Sequence, residues 1–564
     1  MLLVLYTILG AVGAAAQVAS AEDPWDVLLV GGRLVDGTGN PWRFADVALR
    51  GDRIAAIAPP GLLSRENARE VVDVRGLVVA PGFIDLNGQS DERYLEDGSA
   101  LSKTFQGVTT EIMGESNTPA PVNGRTLGWV NPADPVAVRR SSEWRRFGAW
   151  LEEMEAGAVA VNVGSFLGGT TVRRYAMGAA LGAPSTAELD TMRAVTARAM
   201  EDGAFGVATA LIYPPGAYAG TEELVEIARV VAQYGGVYIT HLRSESNRIL
   251  QAIDEAADIG ERAGVPVEIY HLKAAGVENW GLTEEIVARI ESARARGVDV
   301  GAAMYPYTAA STSLTACFPP WSQADDRLFP NLRDPDARAR MREEMLGPPS
   351  DWENWCRLAT PEGSIVSTVS RPEHLPLIGR TLEEVALTLG SADWVEAAMD
   401  LVLRDGSNVG MIYFAMSEDA VRRNLTLPWI KFGTDGAGWN PTGGGGQPHP
   451  RAYGTYPRIL GHYVRDEGVL RLEDAIRKAS SAVADRIGLR ERGTVRPGYF
   501  ADLVVLDLGA VEERATYERP HQLAEGVVHL FVNGRAVIRD GVATEARPGR
   551  FLRGPGATSL TPPN

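Results

Sequence analysis

Between residues 81 and 436 the chain keeps repeating one pattern, a short apolar run followed by a longer amphipathic stretch. The runs read "FIDL", "VTTEIM", "AVNVGSF", "FGVATAL", "GVYITHL", "VEIYHL", "VDVGAAMY" and "IKFGTDG", with segments such as "NRILQAIDEAADIGERAG" and "EEIVARIESARARG" between them. Short buried strands alternating with helices of this length fold as parallel βα units. Eight such units close into a (β/α)8 TIM barrel, an α/β fold whose working groups gather at the C-terminal ends of the strands. A ninth apolar run, "VGMIYFAM" at 409–416, competes for a place in that count.

The flanks have a different texture. Glycine turns punctuate short apolar runs over residues 26–80, and the same pattern returns after residue 490 in "GTVRPGYFADLVVLDL" and "HLFVNGRAVIRDG". This is the signature of antiparallel strands and tight turns. A small β-sandwich domain built from both chain ends, 22–80 and 491–550, is therefore expected beside a barrel of residues 81–490. Residues 323 to about 400 are rich in charge, proline and tryptophan and break the rhythm, which marks an insertion after the seventh strand. Residues 551–564 read as a tail. The opening "MLLVLYTILGAVGAAAQVASAED" reads as a signal peptide of residues 1–21, cleaved near Ala21, for a periplasmic or secreted protein. It lacks a basic start, so a short uncleaved anchor or a misassigned start codon is the competing reading. No later stretch is long and apolar enough to span a membrane.

A net charge of −17 over 564 residues argues against nucleic acid or an anionic membrane as partner. It leaves room for a small anionic substrate in a locally cationic pocket. With only Cys317 and Cys356, a disulfide framework and a cysteine-rich zinc module are excluded. Two buried thiols are the expectation, pairing in an oxidising compartment the alternative.

Histidines are scarce, seven in all, and two of them end successive strands: His241 in "VYITHLRSE" and His271 in "VEIYHLKAA". Glu115 ends "VTTEIMGES", and Asp435 sits in "IKFGTDG". Two imidazoles and a carboxylate around an open position suit a catalytic zinc. Such a metal activates water and polarises a carbonyl, and a free carboxylate, here Asp435, serves as general acid and base. Taken alone, Asp435 would read as a turn-forming aspartate. Glu111 shares a strand face with Glu115 and is its rival; Glu115 lies nearer the C-terminal mouth. Arg243 and Lys273 each follow a histidine by two residues, and such cations suit a substrate carboxylate. Arg243 could equally pair with Glu245 or another acid and order its loop. Tyr213, Tyr305 and Ser311, at two other strand ends, are expected to line the substrate pocket. So is His449, in the glycine-rich stretch after Asp435, for which a structural turn histidine is the competing reading.

Taken in order, "APGFID", "QGVTTEIMGE", "YPPGAYA", "THLRSE", "YHLKAAG", "YPYTAAST", "GTDG", "HPRAYGTYPRILG" and "GTVRPGYFADLVVLD" resemble the amidohydrolase superfamily. Within it the chain resembles the N-acyl-D-amino-acid deacylase (D-aminoacylase) family, over about residues 26–545. The resemblance implies a TIM barrel beside a β-sandwich and hydrolysis of an amide by zinc and water. It implies His241 and His271 as zinc ligands, Asp435 as acid and base, and Lys273 on the substrate carboxylate. Two departures stand out. The family's first-strand His-x-His is here Asn87-Gly88-Gln89, and its cysteine ligand falls at Ser116, directly after Glu115. The first removes two ligands of a second metal; the second leaves Glu115 to replace a thiolate. Some N-acetylglucosamine-6-phosphate deacetylases are similar in carrying amides there and using one zinc.

One zinc per chain is therefore expected, with Asn87 and Gln89 bonded to the activated water or to the substrate. The expected function is hydrolysis of N-acyl, D-configured amino acids or small peptides. A hydantoinase-like or dihydroorotase-like cyclic-amide hydrolase and a metal-free binding protein on the same scaffold are the alternatives. The expected partner is a small carboxylate-bearing molecule; association between copies of the chain stays open.

Overall fold

The computed structural model describes residues 24–126, 142–349, 351–406, 408–442 and 445–557. The expected signal peptide lies outside the described residues. Among them no helix is long and apolar enough to cross a membrane.

All eight expected runs form parallel barrel strands: β1 Phe83–Asp85, β2 Val108–Met113, β3 Asn162–Ser165, β4 Gly206–Ala210, β5 Val237–His241, β6 Val267–Ile269, β7 Val300–Met304 and β8 Ile430–Phe432. Strands β4 to β8 pair in succession, with β7 crossing directly to β8 (Met304 opposite Phe432). A parallel bridge between Gly88 and Gly436 closes the circuit from β8 to β1. Helices such as Ile249–Ala263 cover the outside, their apolar stripe (Ile249, Ile253, Ala256, Ile259) buried against the strands. Ile112, Phe166, Phe205, Val237 and Ile239 fill the inside.

The ninth run is not a barrel strand. Gly410–Phe414 lies between Ala309–Ser313 and Ser364–Thr368 in a separate antiparallel sheet. With the helices Pro335–Leu346 and Trp394–Asp405 that sheet forms an insertion with its own core, including Met341, Val385, Met399 and Tyr413. The insertion thus begins at about residue 309 rather than 323 and runs past 410. Both of its edges carry alternating strands, which the charge-rich middle hides. Cys317 and Cys356 are joined in a disulfide within it, not left as thiols.

The two chain ends meet in a nine-stranded sheet, where Val79 opposes Val505 in antiparallel register. The sheet wraps a core of Leu29, Val47, Leu49, Leu503 and Phe531. The stretch read as a tail is ordered in its first part. Val163 N donates to Arg550 O and Leu552 N to Val163 O, so Phe551 and Leu552 are buried at the foot of the barrel. Residues 558–564 are outside the described set.

Candidate active site

On β5, side-chain alternation puts His241 on the same face as Val237 and Ile239, the barrel interior. His271 follows β6 by two residues. On β2 the alternation ends at Gly114, whose φ of +103° an L side chain would strain, and a Cβ there would stand 2.2 Å from Phe166 O. This turn separates the rival carboxylates. Glu111 stays behind, bonded to Ser90 Oγ at 2.5 Å and to Tyr94. Glu115 meets the histidines.

Glu115 Oε1 lies 3.2 Å from His241 Nδ1 and 3.1 Å from His271 Nε2. One donor atom from each of the three residues falls within 4.8 Å of the others. Two imidazoles and a carboxylate converging on one point are a donor set that fits zinc and leaves a fourth position open. The surroundings also favour a cation. Burial and Lys273 disfavour a charged His271, yet Glu245, Glu115 and Asp435 push its pKa up to about 9. Burial alone would raise the Glu115 carboxyl, but His271 and His241 hold it well below the usual carboxylate range.

Behind the triad stands Glu245, a residue sequence reasoning saw only as a partner for Arg243. Its Oε1 is 3.0 Å from His271 Nδ1, and its Oε2 is 3.4 Å from His241 Nε2. Lys273 Nζ donates to it at 2.6 Å. Despite its burial, Glu245 is kept ionised far below the ordinary range by His241, Lys273 and His271. The insertion contributes here: Glu353 accepts from the Glu245 backbone N–H and from Ser244 Oγ, fixing the loop. The available signal was a carboxylate four residues beyond a strand-end histidine.

Asp435 has a left-handed backbone (φ +48°), and its N–H donates to Asn87 O at 2.8 Å. The turn is clamped from below. Fully buried Lys103 donates to Asp85 at 2.6 Å and to Thr434 Oγ1 and Gly436 O at 2.7 Å each. Above, Asp435 Oδ2 is 2.9 Å from Arg451 Nη1. Burial pushes the Asp435 carboxyl above its ordinary value; Arg451 opposes this and the like charge of Glu115 adds to it.

These groups open into a cavity of about 490 Å³. Lys273, Tyr213, Tyr305, Ser311 and His449 all line it. Tyr213 meets His241 edge-on, with ring centroids 5.4 Å apart. The Tyr305 hydroxyl is buried without a partner among the described residues. Ser311 donates to Met411 O, so its hydroxyl hydrogen is committed to the insertion sheet.

Two expectations are corrected, for Arg243 and for the Asn87–Gln89 pair, while His449 lines the cavity in a structural role. Arg243 does not face the triad: its guanidinium is held by Glu255 at 2.8 Å and by the carbonyls of Ala217 and Ala219, ordering the loop. Besides Lys273, the cavity cations are Arg93 and Arg451, the latter from "HPRAYG" with its buried Nη1 2.9 Å from Asp435 Oδ2. His449 is a wall residue with both ring nitrogens taken, Nε2 by Ala309 O and Nδ1 by Arg451 N–H. Asn87 lies off the cavity lining. Gln89 reaches the cavity, but its Nε2 is spent on protein oxygens: Glu115 Oε2 at 2.8 Å, and Asp435 Oδ1 and Asn87 Oδ1 at 3.3 Å.

Residues 369–538 match the model of an amidohydrolase family. The chain is 36% identical over 536 residues to a D-aminoacylase of Alcaligenes xylosoxydans xylosoxydans, covering 94% of this chain and 98% of the relative. A D-aminoacylase structure described for the binuclear metal centre's one-metal activation and second-metal attenuation is 35% identical. It aligns over 94% of this chain and all of its own, with a TM-score of 0.78. N-acyl-D-glutamate deacylase from Bordetella bronchiseptica, solved with zinc and a phosphonate mimic of the tetrahedral intermediate, is 32% identical, with the same coverage and a TM-score of 0.77. The chain belongs to the amidohydrolase superfamily and, within it, to the D-aminoacylase family of zinc-dependent amide hydrolases.

Proposed function

We propose that the protein hydrolyses the amide bond of N-acyl-D-amino acids, or of small peptides with a free carboxylate, using one zinc held by Glu115, His241 and His271. The observation that carries this reading is the convergence of that triad with Asp435 on one side of a cavity that also presents buried, under-used donors. Arg451, whose Nη1 also faces Asp435 Oδ2 at 2.9 Å, and the Tyr305 hydroxyl, which has no hydrogen-bond partner among the described residues, stand there beside Lys273. A carboxylate bound there would satisfy them and place the adjacent amide towards the triad. The D configuration rests on kinship with deacylases of D-amino acids.

When bound, zinc supplies a Lewis acid for the amide carbonyl and lowers the pKa of water. The chain does the rest. Asp435, raised by burial and oriented by its neighbours, takes the proton of the attacking water on Oδ2 and returns it to the departing nitrogen. Glu245 holds the His271 imidazole in place from behind and lies 3.4 Å from Nε2 of His241. The intact set of Glu115, His241, His271 and Asp435 speaks against a scaffold retained only for binding.

We also place the protein outside the cytoplasm. The apolar opening and the Cys317–Cys356 pair support export, since disulfides persist in oxidising compartments. The deciding experiment is zinc analysis of the purified protein with a screen of N-acyl D- and L-amino acids. Zinc-dependent release of free D-amino acid is expected; turnover of the L series alone, or activity without zinc, would overturn the proposal.

A further inference from the structure

Three oxygen atoms surround one point next to the triad: Glu115 Oε2, Asp435 Oδ1 and Asn87 Oδ1. The atom at that point is Gln89 Nε2, at 2.8, 3.3 and 3.3 Å from them. The amide must present its nitrogen, because its oxygen there would face three acceptors. An N–H2 group has two hydrogens. One goes to Glu115, and the other lies between Asp435 and Asn87 at equal distance. Without a donor at this point two buried carboxylates would face each other across a gap, and the like charge of Glu115 already raises Asp435.

A cage of oxygens between two buried carboxylates is also what a divalent cation would occupy. We propose that the Gln89 amide stands in the place of a second metal ion, as an uncharged cross-link from the ligand Glu115 to the acid/base Asp435. The consequences are geometric. With Oε2 tied to Gln89, only Glu115 Oε1 is turned to the two histidines, so the site holds one metal. With Oδ1 tied, Asp435 keeps its Oδ2 edge towards the cavity. Gln89 is thus a positioning residue, and the attenuating metal described for a relative's binuclear centre has no place to bind.

The inference rests on the zinc reading above, and metal counting separates the two. The full-length protein is stripped with chelator, titrated with zinc and freed of unbound metal by gel filtration. Uptake should stop at one zinc per chain, with turnover level in excess zinc. Gln89→Glu puts an anion among the three oxygens and should take up a second zinc, with turnover now falling as zinc is added. Gln89→Ala empties the cage and should admit a second zinc more weakly than Gln89→Glu; loaded with one zinc per chain, it should keep its KM while kcat drops about 10–100-fold, the usual cost of an outer-shell partner. Two zincs in the unaltered protein, or undiminished kcat in Gln89→Ala, would overturn the cross-link and leave the zinc reading standing. No zinc at all would overturn both. The count on the unaltered protein needs no variant to fold.

Discussion

Glu245 Oε1 lies 3.0 Å from Nδ1 of His271, the ring nitrogen turned away from Glu115. The same carboxylate reaches Nε2 of His241 at 3.4 Å, again the nitrogen opposite the triad. This buried anion therefore orients the His271 imidazole by a hydrogen bond and stands as a near charge to that of His241. Such outer partners are worth about 10–100-fold in metal affinity. Glu245→Gln should weaken zinc binding by that factor in competition against a chromophoric chelator. Unchanged affinity would reduce Glu245 to a counter-ion for Lys273.

Asp435 makes no contact with the histidines among the described hydrogen bonds, so its loss should not empty the site. Asp435→Asn is expected to retain zinc and lower kcat by about 10²–10⁴-fold, the range of a lost general acid/base. A variant with full turnover would remove the proton-transfer role. The pair of measurements matters, because a metal-free variant would lose activity for another reason.

The barrel was legible because each strand is a compact apolar run bounded by helices, and the histidines announced themselves by ending two of those runs. What remained hidden depended on contacts distant in sequence. The run at 409–416 has the composition of a barrel strand, and only its pairing with 309–313 and 364–368 sets it in the insertion. Arg243 follows strand β5 by two residues, and Arg451 opens the helix Arg451–Arg458 beyond β8. The first finds Glu255 on the helix that follows its loop, whereas the second is buried against Asp435. Spacing cannot tell these apart, since a guanidinium on a long side chain follows the nearest acid. Gln89 lies at the cavity, but the partners of its amide nitrogen, 26 and 346 residues away, are the carboxylates of Glu115 and Asp435.

Arg451 supplies the sharpest test of substrate class. It is nearly fully buried, stacks 4.6 Å over Tyr305 and points Nη1 at the cavity side of Asp435. If it receives the substrate carboxylate, Arg451→Met should lower kcat/KM on N-acyl amino acids by about 10–100-fold, equivalent to a charged hydrogen bond of roughly 1.5–3 kcal/mol. The loss should lie mainly in KM. The matching carboxamides, which carry no charge to bind, should be turned over alike by variant and parent. An equal loss on both substrates would assign Arg451 to Asp435 alone.

His449 predicts how the fold responds to acid. Burial holds its pKa well below the ordinary 6.5, and the Arg451 charge adds to this. Its neutral ring donates to Ala309 O and accepts from Arg451 N–H. Below pH 6.5 the unfolded chain binds a proton at this residue that the folded chain refuses. Stability from this group is thus complete above pH 6.5 and is lost as pH falls below it, by about 1.4 kcal/mol per pH unit until the folded ring titrates. His449→Asn removes that proton from the unfolded state. Its denaturant midpoint should be lower than the parent's at pH 8, and the gap should narrow steadily towards pH 5. Parallel curves for the two proteins across that range would mean that the acid sensitivity arises elsewhere.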